Sequence, residues 1–290
     1  MRKKMLIALF LVLVLFTGVS FGNTTLSQSE LVIGKNQVYQ LKPGTQLVVL
    51  DKLTMKAGSK LVINTDVNLV RIEIGEFVAG KNTVIDTSSR GSVGSGNNGS
   101  HASGQPGYGQ QGYSGGDGGK GPDGKSALPV LQIVSGIREI NGLTIKANGG
   151  NGGNGGNGGN GTIGGGYKCS NTRSSNAGCG GKGGNGGDGG NGGDATQVVM
   201  KWWPAKGVTI HHSPTGTPVN LTIISKGGAG GGAGSPGNGG PSHHGYDCGP
   251  FEPSVRGGAA GARGNAGRSG VGGDSPKPRF IHIKANPFDI

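Results

Sequence analysis

The stretch GGNGGNGGNGGNG, residues 149–161, has no apolar stripe of helical or strand period, so the usual patterning signals are silent along it. It does keep a beat. Glycine returns at every third position from Gly149 to Gly164, and the same beat runs through Gly109–Gly124, Gly181–Gly193, Gly228–Gly240 and Gly258–Gly273. A flexible linker has no reason to hold phase over five or six repeats. With 67 glycines and 14 prolines in 290 residues, composition alone would suggest disorder, and the period decides against it.

Three residues per turn is the period of the polyproline II conformation, a left-handed helix that rises about 3.1 Å per residue and makes no internal hydrogen bonds. Each block then predicts a rod of about 40 to 50 Å. Its backbone donors and acceptors must be satisfied by neighbouring rods or water, and a glycine on every third position leaves one face bare for another backbone to approach. Collagen shares the period but needs long, usually proline-rich tracts in three chains. Here the tracts are short, poor in proline and mostly paired, which predicts an intramolecular bundle of about six rods. In 149–161 and 181–193 two residues of every three are glycine, so those rods belong inside. GQQGYSGGDGGKGPDG and GAAGARGNAGRSGVGG keep one bare face and belong outside.

Residues 31–88 alternate Val, Ile and Leu with polar residues in short runs separated by Gly, Asn or Asp. This fits the rungs of a right-handed parallel β-solenoid, with a sandwich as the alternative. Strand-like runs return around the glycine blocks. NTVIDTSSRG, GLTIKANGG and NLTIISKGG lead into one, and SALPVLQIV, ATQVVMKWW and PRFIHIKAN leave one. The expected fold is therefore all-β, a short parallel β-solenoid with inserted glycine-rich hairpins packed as a bundle. The expected divisions are a signal peptide over 1–22, a solenoid start over 23–90, and rungs with three hairpins over 91–290, at about 91–124, 149–193 and 228–273. The first hairpin is the weak case, since its outgoing half keeps only the beats Gly91 and Gly94.

Paired glycine-rich rods joined by variable loops resemble the polyglycine II bundle proteins, among them the tip adhesins of T-even-like phage long tail fibres and the snow flea antifreeze protein. The resemblance covers roughly residues 91–274 and rests on period and pairing. It implies packed polyglycine II helices and carries over no site residue.

The chain opens MRKKMLIALFLVLVLFTGVSFGN, a basic start and an apolar run from Met5 to Phe16 followed by small residues. It reads as a secretory signal peptide cut after Gly22, too short for a membrane span. No other apolar stretch is long enough to cross a bilayer, so the expected location is secreted or cell-surface. The formal charge of +12 falls by three when the leader leaves. The remaining excess favours a cell-surface glycan or envelope polyanion as partner. Export disfavours nucleic acid.

The tip loops hold the unusual side chains: NNGSHASGQPGY from Asn97, GYKCSNTRSSNAGCG from Gly166 and PSHHGYDCGPFEPSVR from Pro241. Rigid scaffolds commonly bind through such loops, and the candidate ligand-binding residues are Tyr167, Arg173, His243, His244, Tyr246 and Phe251. Of the three cysteines, Cys169 and Cys179 share one loop and Cys248 lies on the next. A bridge could close the small loop or cross between tips, and the spacing does not choose.

Several motif matches come from composition alone. GKGPDGKS at 119–126 satisfies the phosphate-loop pattern, and GYGQQG at 107–112 the dinucleotide fingerprint, but neither precedes a helix. GGNGGD at 183–188 and 189–194 repeats every six residues where the calcium nonapeptide needs nine. The adjacent pairs His211–His212 and His243–His244 lack the spacing of a zinc site. The carboxylates Asp51, Asp66, Glu73, Glu76 and Asp86 are scattered. No catalytic residue, metal or cofactor is assigned. The expected function is an adhesin-like binding protein that recognises a glycan or envelope component through its tip loops. The alternatives are a matrix or filament component that self-associates at the solenoid ends, and an ice-binding protein.

Overall fold

A computed structural model describes residues 24–63, 66–89, 94–170, 174–249 and 254–284. The proposed signal peptide lies outside them. The described residues are all-β and contain no helix. Long strands alternate with short ones along the chain: β1 (Thr24–Ile33), β2 (Val38–Gln40), β3 (Thr45–Met55), β4 (Lys60–Val62), β5 (Leu69–Ala79), β6 (Thr83–Asp86), β7 (Val130–Ile140), β8 (Leu143–Lys146), β9 (Gln197–Pro204), β10 (Leu221–Ile224) and β11 (Arg279–His282). The odd-numbered strands form a six-stranded sheet in the order β1-β3-β5-β7-β9-β11, and the even-numbered ones a five-stranded sheet in the order β10-β8-β6-β4-β2. Every pairing is parallel. Each coil of chain thus adds one strand to each sheet, the topology of a β-solenoid.

The core lies between the sheets. β5 buries Val70, Ile72 and Ile74, slips phase by one residue, and then buries Phe77 and Ala79. β3 does the same with Val48 and Leu50, then Leu53 and Met55. Fully burying one such side chain is worth about 1.5 to 3 kcal/mol, and the same stacking recurs with Leu131, Ile133 and Ile137 on β7 and Val198, Met200 and Trp202 on β9. All the turns from long to short strands but the one from β9 to β10 are tight; Asn36 and Asn82 adopt left-handed backbone in two of them with φ of 59° and 56°, and Asn220, just before β10, does so with φ of 64°. Asparagine tolerates that region better than most residues.

β1 begins at Thr24, earlier than the apolar alternation indicates, because TTLSQSE is an edge segment held through its pairing with β3. The run LVIGKNQVYQL is divided between β1 and β2 by the turn at Asn36, and KLVINTDVNLVRIEIG between β4 and β5.

The three glycine-rich excursions leave after β6, β8 and β10 and return before β7, β9 and β11. All three are therefore inserted at the same corner of the solenoid. We number the six segments in chain order: 94–102, 112–127, 149–165, 177–195, 227–240 and 256–274. The sheets continue directly into them. Thr87 N–H donates to Lys146 O at 2.8 Å, Ser89 to Asn148 at 2.9 Å, Ala147 to Ile224 at 2.8 Å and Gly149 to Lys226 at 2.9 Å, which carries the short-strand ladder outward. Ala127 to Asp194 at 2.8 Å and Ala195 to Asp274 at 2.9 Å do the same for the long-strand ladder.

Candidate functional site

The segments are held by backbone hydrogen bonds that repeat every third residue. In one layer Gly96 and Gly99 of segment one donate to Asn154 and Asn157 of segment three, and Gly149, Gly152 and Gly155 of segment three donate to Lys226, just before segment five, and to Ala229 and Gly232 within it. In the other layer Gly115, Gly118 and Gly121 of segment two donate to Lys182, Asn185 and Asp188 of segment four, which donates in turn to segment six. Between layers the bonds are antiparallel, as from Gly153 to Pro122 and from Gly187 to Gly156. Segments three and four, in which two of three residues are glycine, are each bonded to four others. A Cβ on Gly155 would overlap the carbonyl of Gly187, and one on Gly187 the carbonyl of Gly119. Glycine is there because another backbone occupies the space a side chain would need.

The third residue of each triplet has its own task. Oδ1 of Asn151, Asn154, Asn157 and Asn160 accepts the N–H of Ala229, Gly232, Ser235 and Asn238 at 2.8–2.9 Å. In the other layer Asn185, Asp188, Asn191 and Asp194 accept from Asn265, Arg268, Val271 and Asp274. Asp123 accepts the N–H of Asn191 at 2.7 Å, and that bond, with Lys120 beside it, holds its carboxyl below the ordinary carboxylate range.

This scaffold places the tips. Residues 97–102 lie inside segment one, whose beats are Gly96, Gly99 and Ala102, so the first tip is shorter than the sequence reading and the outgoing half keeps a different phase from Gly91 and Gly94. The second tip is pinned by a bridge between Lys168 and Ser175, and the third by one between Tyr246 and Val255, both antiparallel. Cys169 and Cys248 form a disulfide across these two tips, with Cα atoms 5.6 Å apart, and Cys179 is free and exposed. Of the pairings left open by the sequence, the inter-tip one is realised. Tyr167 and Tyr246 stack beside it, ring centroids 5.1 Å apart and planes 9° from parallel. Tyr246 is 55% exposed. His244 is exposed and His243 half-buried. Arg173 and Phe251 lie outside the described residues.

The first tip joins the second through Gly109 N–H to Gly166 O at 2.9 Å and presents Tyr108, the more exposed tyrosine at 67%. Sequence reasoning placed Tyr108 at the loop end without singling it out. The signal was available, a tyrosine between two glycines in a turn.

The remaining candidates sit on the solenoid. Glu76 pairs with Arg138 at 2.7 Å and with Lys52 at 3.6 Å, Glu73 with Arg71 at 2.6 Å, and Asp66 accepts the N–H of Gly44 at 2.9 Å. Asp51 and Glu73 line a shallow pocket of about 150 Å³ on the long-strand sheet. A cleft of about 260 Å³ bordered by Arg138, Glu139, Ile210 and His211 lies at the turn before β8. His212 and His282 sit 5.1 Å apart around the buried Trp202, whose ring stacks on His282 at 4.4 Å and whose Nε1–H donates to Gly216 O at 2.8 Å. Among the described residues no group of three or more His, Cys, Asp or Glu is placed to hold a metal ion, and no helix is long and apolar enough to cross a membrane.

No protein-family model matches the chain, and no curated protein matches it. Among solved structures, the springtail antifreeze protein from Granisotoma rainieri, described as a nine-helix polyproline type II bundle, is 22% identical, with 62% of this chain and 95% of its own covered. The TM-score is 0.13, and at that value the likeness carries no argument about this chain.

Proposed function

We propose that this protein is an exported, secreted or surface-displayed binding protein whose six glycine-rich segments are polyglycine II rods and whose joined tips recognise a glycan or envelope component. The observation that carries the reading is the lock between the second and third tips, where the Cys169–Cys248 disulfide lies beside the Tyr167–Tyr246 stack. Two loops separated by 79 residues are held in one arrangement, with an exposed Tyr246 and with His243 and His244 in the same loop. Preorganised aromatic surface with adjacent polar donors suits sugar recognition, because little rotamer freedom is lost on binding. The disulfide suits an oxidising compartment.

The test is binding of the mature chain to a glycan and envelope-extract array beside Tyr246→Ala/His244→Ala and a variant with the third tip loop replaced by GSG. Binding that disappears in both variants, with melting of the double variant unchanged, supports the reading. Equal binding by all three proteins removes the tips as the site. A second reading, end-to-end stacking of copies, has one observation in its favour: β1 and β11 each have a single neighbour in the six-stranded sheet. Sedimentation that shows monomers at high concentration removes it.

A further inference from the structure

Each segment of a layer donates backbone N–H groups to the next, and segment six is the last of its layer. In segment four, Gly180, Gly183, Gly186, Gly189 and Gly192 donate to the carbonyls of Ala259, Ala262, Asn265, Arg268 and Val271. The counterparts one segment further, in the register set by Asp188 and Arg268, are Ala260, Arg263, Ala266, Ser269 and Gly272. Among the described residues their N–H groups have no partner. They form a line of donors three residues, or about 9 Å, apart at the rise of a polyproline II chain.

The side chains along this edge differ from those inside. Where Asn176, Asp188 and Asn191 of segment four offer an oxygen to the next backbone, segment six has Arg256, Arg268 and Val271, none of which accepts a hydrogen bond; only Asn265 and Asp274, opposite Asn185 and Asp194, keep an acceptor oxygen. Another polypeptide rod would therefore find matching acceptors at two of these five positions. Arg256, Arg263 and Arg268 are exposed, and no ion pair engages them among the described residues. Residues 255–273 contain no acid. Asp188 and Asp194 of segment four each already accept a backbone N–H, and Asp274 closes the row.

We propose that this edge binds a linear acidic polysaccharide laid along segment six, its carboxylates or sulfates accepting from the free backbone donors and paired with Arg256, Arg263 and Arg268. A row of donors flanked by guanidinium groups calls for an acceptor-only, negatively charged ligand. The small residues Ala260, Ala266 and Gly272 let such a chain reach the backbone. Single-stranded nucleic acid fits less well, because residues 254–278 carry no aromatic side chain on which bases could stack. Apart from Arg256, the last residue of the third tip loop, this site is separate from the tips, and it stands whether or not they bind.

The test uses immobilised polygalacturonate, with dextran sulfate as a second acid and dextran as the neutral control, at two salt concentrations. Arg263→Ala/Arg268→Ala removes the charges. Ala266→Pro/Ser269→Pro removes two donors without changing charge, and Pro236 already stands at the corresponding position of segment five, in the series Gly227, Gly230, Ala233, Pro236 and Gly239. The expected result is binding to both acids and not to dextran, weakened by salt and reduced at least tenfold in each double variant. Tyr167→Ala/Tyr246→Ala at the tips and Lys42→Ala/Lys56→Ala on the solenoid stay within twofold of the unaltered chain. The proposal is overturned if the lysine variant loses as much as the arginine variant, if folded proline variants bind like the unaltered chain, or if single-stranded DNA binds as tightly as polygalacturonate.

Discussion

Thr87 and Thr196 share a buried hydrogen bond, Oγ1 to Oγ1 at 2.9 Å, although 109 residues separate them. Both are fully buried, at the root where the first excursion leaves the short-strand sheet and the second returns. The Thr87 hydroxyl also donates to Lys146 O at 3.2 Å, so the proton between the two threonines belongs to Thr196. Thr87→Val should leave that proton without an acceptor at a cost of about 1 to 3 kcal/mol. Thr196→Val should cost less, because Thr87 keeps its bond to Lys146. The double Val variant should melt no lower than Thr87→Val alone, and a double-mutant cycle by thermal denaturation reads the coupling.

Gly155→Val and Gly187→Val should each destabilise by more than about 3 kcal/mol or prevent folding, since the new side chain would meet backbone that has no room to retreat. Gly272→Ala is the control. The nearest atom to a Cβ there is Gly228 O at 3.5 Å, so melting should change by less than about 0.5 kcal/mol. Near-native melting of both valine variants would remove the close-packed interior.

Reduction of Cys169–Cys248, or Cys169→Ser, should lower stability by about 2 to 4 kcal/mol and loosen the second and third tips. Cys179→Ser should leave melting unchanged. Peptide mapping after alkylation of the folded protein checks the pairing, with label expected on Cys179 alone.

The acid side of the stability profile should carry the mark of Asp86. Burial raises its pKa, but the Lys60 ammonium, at 2.5 Å, and the N–H of Ser88, at 3.0 Å, outweigh that, and the net pKa lies below the ordinary value. A carboxylate with depressed folded pKa stabilises fully above its unfolded pKa of about 3.9 and loses that contribution as pH falls through the folded value. Asp86→Asn should flatten the stability curve below about pH 4 and lower stability at pH 7. Parallel acid curves for the two proteins would contradict the assignment.

Much of this was legible in the chain. Doubled glycines at 149–161 and 181–193 mark the segments with neighbours on every side, and the strand-like runs beside each block mark where the sheets resume. The asparagines were not legible as structure. Their place as the third residue of each triplet was visible, but not that Asn157 accepts from Ser235 while its own N–H is received by Asn98. That role depends on a neighbour some 60 to 80 residues away, which no local pattern reports. The same distance hides the disulfide, since Cys248 approaches Cys169 only because two hairpins lie side by side. Segment one was misphased because Ser and Asn interrupt its glycines and its donors begin at Gly96. The tip tyrosines were visible as residue types, but their stacking was not.

All three excursions spring from one corner of the coil and run on from the sheets they leave. A pull applied at the tips along the segments therefore loads their lateral hydrogen bonds in shear, many at once, and passes into the strands end-on. The Cys169–Cys248 bond ties two of the three hairpins at the far end, so tension on one is shared with its neighbour before any rung of the coil is strained. The arrangement is that of a stiff tether, fixed at its base and coupled at its head.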